Sequence, residues 1–120
     1  MALVFLGLGT NLGNKVQNLN DAIIELSLEI GLVIKQSTFL VSKPRGFETK
    51  NDFLNAVVLV ETQLTPFDLL YKTQDIEKKL GRKEKSKDEY VDRMIDIDIL
   101  LYDNNIINQP TLKIPHPLIA

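Results

Sequence analysis

Two aspartates stand inside an otherwise apolar segment of the chain. Asp96 and Asp98 alternate with isoleucines within residues 94–102, which read MIDIDILLY. Because side chains two residues apart on a strand point to the same face, the two carboxylates share one face and the isoleucines take the other. Adjacent carboxylates are costly to bury without a cation, and Mg²⁺ commonly joins one or two carboxylates to substrate phosphates. The pattern is compatible with a magnesium site, but D-x-D is short and common, and a strand whose acidic face is solvated is the alternative.

Positive charges come just before this segment, and a histidine follows it. Nine of the twelve residues in 82–93 are charged, with Arg82 and Arg93 at the two ends. Beside a metal site these arginines could clamp phosphates and neutralise charge that develops during transfer, whereas a solvated loop is the alternative. His116 is the one histidine, and the prolines on both sides of it restrict its backbone. It could donate a hydrogen bond to a phosphate, and a structural role is the alternative.

A second group of residues could recognise a flat heterocycle. Asn55 lies among apolar neighbours in the segment 53–62, and a buried amide needs hydrogen-bond partners. It could pair with backbone or read the donor and acceptor edge of a ring. Phe53, on the same face of the predicted strand, could pack against such a ring or belong to the core. Gln74 and Glu77 are neighbours on a predicted helix, and solvent exposure is their alternative.

The hydrophobic pattern predicts the elements that must hold these residues. Strands are predicted from apolar or β-branched runs at 2–8, 32–42, 53–62 and 94–102. Helices are predicted over 15–29, ending at Gly31, and from Thr65-Pro66 to Gly81. A small hairpin is predicted between 106–107 and 112–114. The order β-α-β-β-α-β plus a hairpin indicates an α+β, ferredoxin-like sandwich with an added C-terminal β-hairpin.

Composition narrows the class of protein. The 120 residues carry a formal net charge of −2 and no cysteine. The charge argues against a nucleic-acid binder, and the lack of cysteine excludes a disulfide or a thiolate metal site. No apolar run approaches the ~20 residues of a membrane-spanning helix. We therefore expect a cytoplasmic protein that binds neither nucleic acid nor membrane.

Five segments in this order resemble the hydroxymethyldihydropterin pyrophosphokinases of folate synthesis. They are Gly7-Leu8-Gly9-Thr10-Asn11-Leu12-Gly13, Phe53-Leu54-Asn55-Ala56-Val57, Gln74-Asp75-Ile76-Glu77 with Gly81-Arg82, Arg93-Met94-Ile95-Asp96-Ile97-Asp98-Ile99-Leu100, and Pro115-His116-Pro117. The resemblance runs from residue 3 to residue 117. It implies an enzyme that transfers pyrophosphate from ATP to a pterin alcohol, with two Mg²⁺ ions, and releases AMP. We separately expect a monomer.

The resemblance also implies a role for each candidate residue. Asp96 and Asp98 would hold the metals and, with Arg82 and Arg93, form the catalytic set. The implied ATP-binding residues are Gln74, Glu77, Arg82, Arg93, Ile99 and His116. The implied pterin-binding residues are Ser42, Pro44, Gly46, Phe53 and Asn55; Asn55 would hydrogen-bond the pterin and Phe53 would stack on it. No protein nucleophile is implied, because the pterin alcohol itself attacks the β-phosphorus of ATP.

The chain also departs from the family pattern. Glu84 takes the place of a frequent second arginine, and Tyr90-Val91-Asp92 replaces a run that resembles Trp-Gly-Pro. The family continues beyond the position of Ala120 with an arginine and an aromatic-containing segment. We expect residues 1–120 to form a single pyrophosphokinase domain, truncated at the C-terminus. A ferredoxin-like module that binds nucleotide without catalysis and an RNA-binding domain are the rival interpretations.

Overall fold

The computed structural model describes residues 1–43, 52–81 and 94–117, and these ranges contain the elements that the sequence predicts. The strands are β1 Ala2–Thr10, β2 Gly31–Gln36, β3 Leu40–Ser42, β4 Phe53–Thr62, β5 Asp96–Tyr102, β6 Ile107–Gln109 and β7 Leu112–Ile114. The helices are α1 Lys15–Glu29 and α2 Pro66–Gly81. The predicted strand at 32–42 is divided, because residues 37–39 separate β2 from β3.

Within the described ranges, β1 to β5 form one antiparallel sheet. The order across it is β2-β4-β1-β5, and β3 follows β2 along the same side of β4. The order places β1 and β4 in the centre and β5 at an edge. The strands β6 and β7 pair as a separate hairpin, as predicted. This arrangement confirms the α+β, ferredoxin-like sandwich with its added hairpin.

The two faces of the sheet differ in what covers them. On the helix-covered face, alternate side chains of β1, β4 and β5 are buried: Val4, Leu6, Leu8, Ala56, Val58, Val60, Ile97 and Ile99. They pack in one cluster with the buried side chains of the helices, among them Leu19, Leu26, Leu69 and Ile76. Each side chain of this size stabilises the fold by about 1.5–3 kcal/mol when it is fully buried. The opposite face, here called the open face, carries Phe5, Gly7, Gly9, Asn55, Val57, Asp96 and Asp98.

A bulge between β1 and β5 changes which side chains face the helices. Leu6 pairs with Ile99 and Phe5 pairs with Leu101, so that Leu100 is the extra residue of the bulge. The Leu100 side chain covers Gly7 on the open face, at 3.4 Å from the position that a Cβ of Gly7 would take. Past the bulge, Tyr102 returns to the helix-covered face, where its hydroxyl donates to the Leu64 carbonyl at 2.6 Å.

The first helix begins and ends through different contacts. Asn14 caps its start by accepting a hydrogen bond from the Gln17 backbone N–H at 3.1 Å. At the other end α1 stops at Glu29, as predicted, with Ile30 as its C-cap, and Gly31 is the first residue of β2. A Cβ on Gly31 would lie 2.1 Å from the Glu61 carbonyl oxygen. Glycine is therefore needed here for the close approach of two strands.

The second helix begins as predicted and is joined to the first by ion pairs. The Thr65 hydroxyl accepts a hydrogen bond from the Asp68 backbone N–H at 3.3 Å. Lys79 pairs with Glu25 at 2.9 Å, and this hydrogen bond raises the pKa of Lys79.

In the part of the chain that the structure describes, no helix is long and apolar enough to cross a membrane.

Candidate functional site

Two rows of residues cross the open face at its centre. Gly9 of β1 pairs with Asn55 on one side and with Asp96 on the other. Gly7 likewise lies between Val57 and Asp98. With neighbouring strands about 4.8 Å apart, Asn55 and Asp96 are separated by roughly 10 Å at the backbone. Because Gly9 has no side chain, the amide and the carboxylate face each other across a shallow groove.

The amide end of the groove is built from β3 and β4. The Asn55 Nδ2 group donates to Ser42 Oγ at 2.7 Å and to the Leu40 carbonyl at 3.3 Å. A Cβ placed on Gly9 would lie 3.1 Å from Asn55 Oδ1 and 3.7 Å from Phe53 Cδ1. Phe53 and Asn55 therefore share the open face, as the sequence predicts. An amide beside an aromatic ring can combine hydrogen bonding with packing against a flat ligand.

The acidic end of the groove is built from β5 and the residues after the hairpin. Asp96 and Asp98 are half-buried on the open face, whereas Ile95, Ile97 and Ile99 are buried on the other. His116 Nε2 lies 3.8 Å from Asp98 Oδ1, which is ion-pair range for a protonated histidine. The His116 backbone N–H donates to the Leu100 carbonyl at 3.0 Å and anchors the histidine against β5. The predicted alternation of acids and isoleucines is present.

A carboxylate from α2 reaches the backbone between the two aspartates. The Ile97 N–H donates to Glu77 Oε2 at 2.7 Å. A charged acceptor gives such a bond extra strength, so Glu77 fixes β5 at the point that carries Asp96 and Asp98. Gln74, one turn earlier on α2, is exposed. The sequence pointed to Glu77 but not to this contact, because nothing in the spacing of α2 shows which edge of β5 it meets.

The donor set is suited to a hard cation that also binds phosphate. Among the described residues, no three His, Asp or Glu side chains form a ready-made metal cluster. Mg²⁺ does not require one, since it is usually held by one or two carboxylates together with substrate phosphates and water. Asp96 and Asp98 provide two carboxylates that face the same way, and the Asp98 side chain is 42% exposed. These residues therefore fit Mg²⁺ that arrives with a phosphate ligand.

A cavity of about 220 Å³ opens beside β5, between α2 and the hairpin. It is lined by Leu70, Ile97, Asp98, Ile99, Pro110, Thr111, Leu112, Lys113, His116 and Pro117. Its walls are apolar on the side of Ile99 and carry Asp98 and His116 at the rim. Sequence reasoning missed the lining from α2 and the hairpin, Leu70 and Thr111 among it. The one available signal was the turn between the two predicted hairpin strands.

Several predicted site residues lie outside the described ranges: Pro44, Gly46, Arg82 and Arg93, and with them the departures at Glu84, Tyr90 and Asp92. The residues that flank 82–93 do meet, since a Cβ on Gly81 would be 3.1 Å from Met94 Cβ. The residues that flank 44–51 are also close, with Lys43 Nζ at 3.9 Å from Asp52 Oδ1.

Comparison with known proteins gives one consistent result. A family model for 7,8-dihydro-6-hydroxymethylpterin-pyrophosphokinase (HPPK) matches residues 5–120. The 2-amino-4-hydroxy-6-hydroxymethyldihydropteridine pyrophosphokinase of Porphyromonas gingivalis is 44% identical over 98% of this chain and 81% of its own length. The enzyme of the same name from Aquifex aeolicus is also 44% identical, over 99% of this chain and 72% of its own.

Solved structures agree at the level of the fold. The crystal structure of a Plasmodium falciparum HPPK-DHPS triple mutant superposes with a TM-score of 0.72 at 18% identity. The match covers 88% of this chain and 30% of the solved chain. The family match over nearly all residues and the 44% identity to two pyrophosphokinases lead to one conclusion: this chain belongs to the 7,8-dihydro-6-hydroxymethylpterin-pyrophosphokinase family.

Proposed function

We propose that this chain transfers a pyrophosphoryl group from ATP to 6-hydroxymethyl-7,8-dihydropterin in folate biosynthesis, giving the pterin diphosphate and AMP. The observation that carries the proposal is the row Asn55–Gly9–Asp96 on the open face, in a chain of this family. A heterocycle-binding amide and a metal-binding carboxylate then lie at the two ends of one groove. That spacing suits a substrate whose ring is held at one end while its alcohol reaches the phosphates at the other.

At the acidic end, Asp96 and Asp98 would hold the two Mg²⁺ ions that accompany the ATP phosphates. When bound, the ions polarise the phosphoryl oxygens and neutralise the charge that develops on them. Glu77 keeps β5 in place through the Ile97 N–H and thereby fixes both aspartates. Arg82 and Arg93 contact the phosphates, and this assignment is supported by chain connectivity, since they adjoin Gly81 and Met94, which lie against each other.

The cavity beside β5 receives the nucleoside of ATP. Ile99 and Leu112 supply apolar walls for the base, and His116 at the rim contacts the triphosphate. Gln74 and Glu77 lie on the α2 side of the nucleotide site. A volume of about 220 Å³ takes part of a nucleotide rather than all of it, which agrees with phosphates that extend from the cavity toward Asp96 and Asp98.

The pterin occupies the amide end of the groove. Asn55 hydrogen-bonds the ring and Phe53 stacks on it, while Ser42, Pro44 and Gly46 line the pocket. The hydroxymethyl oxygen is directed toward the phosphates and attacks the β-phosphorus of ATP, and AMP leaves. The alcohol supplies the nucleophile, so the residues of this chain bind, orient and neutralise charge rather than form a covalent intermediate.

The proposal also includes a monomeric chain. A cytoplasmic location belongs to the same proposal, because ATP and the folate precursors are intracellular metabolites. Sedimentation analysis at working concentrations tests the oligomeric state. A dimer with activity that falls on dilution would contradict it.

The reaction is tested by measuring AMP release from ATP and Mg²⁺, with and without 6-hydroxymethyl-7,8-dihydropterin. We expect AMP release that requires both the pterin and the metal, and formation of the pterin diphosphate in equal amount. ATP binding without AMP release, in the presence of bound pterin, would instead support a nucleotide-binding module. The Asp96→Asn variant serves as the matched control for contaminating kinases.

A further inference from the structure

The orientation of the Asn55 amide is set by its neighbours on the strand at the sheet edge. Its Nδ2 atom carries two N–H donors, and the structure gives it two acceptors, Ser42 Oγ at 2.7 Å and the Leu40 carbonyl at 3.3 Å. The protein itself thus engages the nitrogen side of the amide. The amide oxygen Oδ1 points instead toward β1, where it would lie 3.1 Å from a Cβ on Gly9.

The reverse orientation is unfavourable for a simple chemical reason. A backbone carbonyl is an acceptor only, so turning the amide would place Asn55 Oδ1 against the Leu40 carbonyl oxygen. The Ser42 hydroxyl could adapt by rotating, but the Leu40 carbonyl could not. The amide therefore keeps its nitrogen toward the sheet edge and its oxygen over the central strand. The missing Cβ at Gly9 leaves room above that oxygen for a ligand.

We infer that Ser42 is a positioning residue: the Leu40 carbonyl sets which way the Asn55 amide points, and the Ser42 hydroxyl, in the shorter bond at 2.7 Å, holds the amide there with its oxygen toward the ligand. The groove thereby selects a ring with an N–H donor at this point. The inference rests on the proposed function and deepens it. The pterin ring system carries ring and exocyclic N–H donors, and one of them meets Asn55 Oδ1. A ring that presents a lone pair there would set two acceptors against each other, and we expect it to bind at least about 10-fold more weakly.

The role of Ser42 is tested with three variants and two ligands. Ser42→Ala removes the hydroxyl acceptor, whereas Ser42→Thr retains it on a residue suited to a strand. Ser37→Ala is the matched control, because the Ser37 hydroxyl also contacts β4, accepting from the Val57 N–H at 2.9 Å, but it lies away from Asn55. The dissociation constants for 6-hydroxymethylpterin and for ATP with Mg²⁺ are measured for each variant, together with its melting temperature.

We expect Ser42→Ala to weaken pterin binding by about 3- to 10-fold with unchanged ATP binding. Ser42→Thr should restore the pterin affinity. Ser37→Ala should lower the melting temperature but leave the pterin affinity unchanged. The acceptor itself is tested with pterins methylated at one N–H donor at a time. One of these methylations should weaken binding to the wild-type chain strongly and binding to Asn55→Ala only slightly.

The outcomes separate this inference from the function on which it rests. If the wild-type chain binds pterin and releases AMP, while Ser42→Ala binds pterin as tightly as the wild type, the positioning role is overturned and the reaction stands. If every methylation affects wild type and Asn55→Ala equally, the acceptor assignment is overturned. If the wild-type chain neither binds pterin nor releases AMP, the proposed function fails, and this inference fails with it.

Discussion

The two faces of the sheet use the same strands for opposite purposes. On β1, Leu6 is fully buried against the helices, while Gly7 and Gly9 place no side chain of their own on the open face. On β5, Ile97 is buried while Asp96 and Asp98 face the groove. Because strand side chains alternate with a period of two, packing and ligand binding are assigned to alternate residues. Substitutions on the helix-covered face should therefore change the stability of the fold, and substitutions on the open face should change ligand binding and turnover.

The largest effect is expected on the open face of β5. Asp96→Asn or Asp98→Asn removes a carboxylate from the proposed metal site and should lower turnover by about 100- to 1,000-fold. The melting temperature should change little, since Asp98 is 42% exposed and contributes little to the core. Turnover is followed by AMP release, and folding by thermal unfolding. Wild-type turnover in either variant would refute the metal assignment and with it the division between the faces.

The converse substitution lies on the helix-covered face. Leu6→Ala removes a side chain with no exposed surface and should lower the free energy of unfolding by about 2–5 kcal/mol. The pterin and ATP affinities of the molecules that remain folded should stay near the wild-type values. Urea unfolding and ligand titration at low temperature make the comparison. A selective loss of ligand affinity without loss of stability would show that the faces are not independent.

Substitution of Glu77 is expected to change stability and turnover together, because Glu77 joins α2 to the strand that carries the aspartates. Glu77→Ala leaves the Ile97 N–H without this acceptor and should cost about 1–3 kcal/mol of stability. Turnover should fall as well, since β5 is then less well fixed. Glu77→Gln retains an acceptor oxygen and should lose less of both. A variant at this position that loses turnover alone, with full stability, would instead indicate a direct contact with the nucleotide.

Asn55 tests the two ends of the groove against each other. Asn55→Ala removes the amide that faces the pterin and should raise the pterin dissociation constant by about 10-fold. The ATP dissociation constant should stay close to the wild-type value, because Asn55 and Asp96 are two strands apart. Binding is measured separately for each ligand by titration calorimetry. Equal weakening of both ligands would contradict the pterin assignment.

The smallest effect is a dependence on alkaline pH that comes from the helix-covered face. Burial raises the pKa of Tyr102 above its ordinary value of 10.0. The folded state then holds the proton more tightly than the unfolded state, so this contribution is complete below pH 10 and is lost as the pH rises through the folded pKa. The unfolding free energy of the wild type should fall more steeply above pH 10 than that of Tyr102→Phe. Parallel curves would contradict this account.

Local patterns predicted most of the fold. The alternation in 94–102 and the three- and four-residue apolar spacing in 15–29 fix element type, and both were confirmed. The break at 37–39 and the contact of Gly31 with Glu61 were not predicted. Both depend on β4, which lies more than ten residues away in the chain. A pairing partner at that distance leaves no mark in the local spacing.

The candidate site divides in the same way. The shared face of Asp96 and Asp98 follows from strand geometry alone, and the shared face of Phe53 and Asn55 does too. The Glu77 bond to Ile97 and the hairpin wall of the cavity depend on how α2 and β7 pack beside β5. The metal site was inferred from the spacing of Asp96 and Asp98, whereas the individual roles in ATP and pterin binding came mainly from the family resemblance, and all of them stay predictions.

The extra residue at Leu100 has a consequence at the level of the gene. Deleting one codon within 99–101 would preserve the reading frame but remove the extra residue of the bulge. The side chains before and after it would then alternate between the two faces without interruption. Either Tyr102 would then turn away from the helices, or Asp96 and Asp98 would turn into them. Exchanging the Leu100 side chain for another keeps the extra residue, so the residues on either side of the bulge stay on their present faces. In a library of variants, this stretch should therefore tolerate point substitutions far better than single-codon deletions.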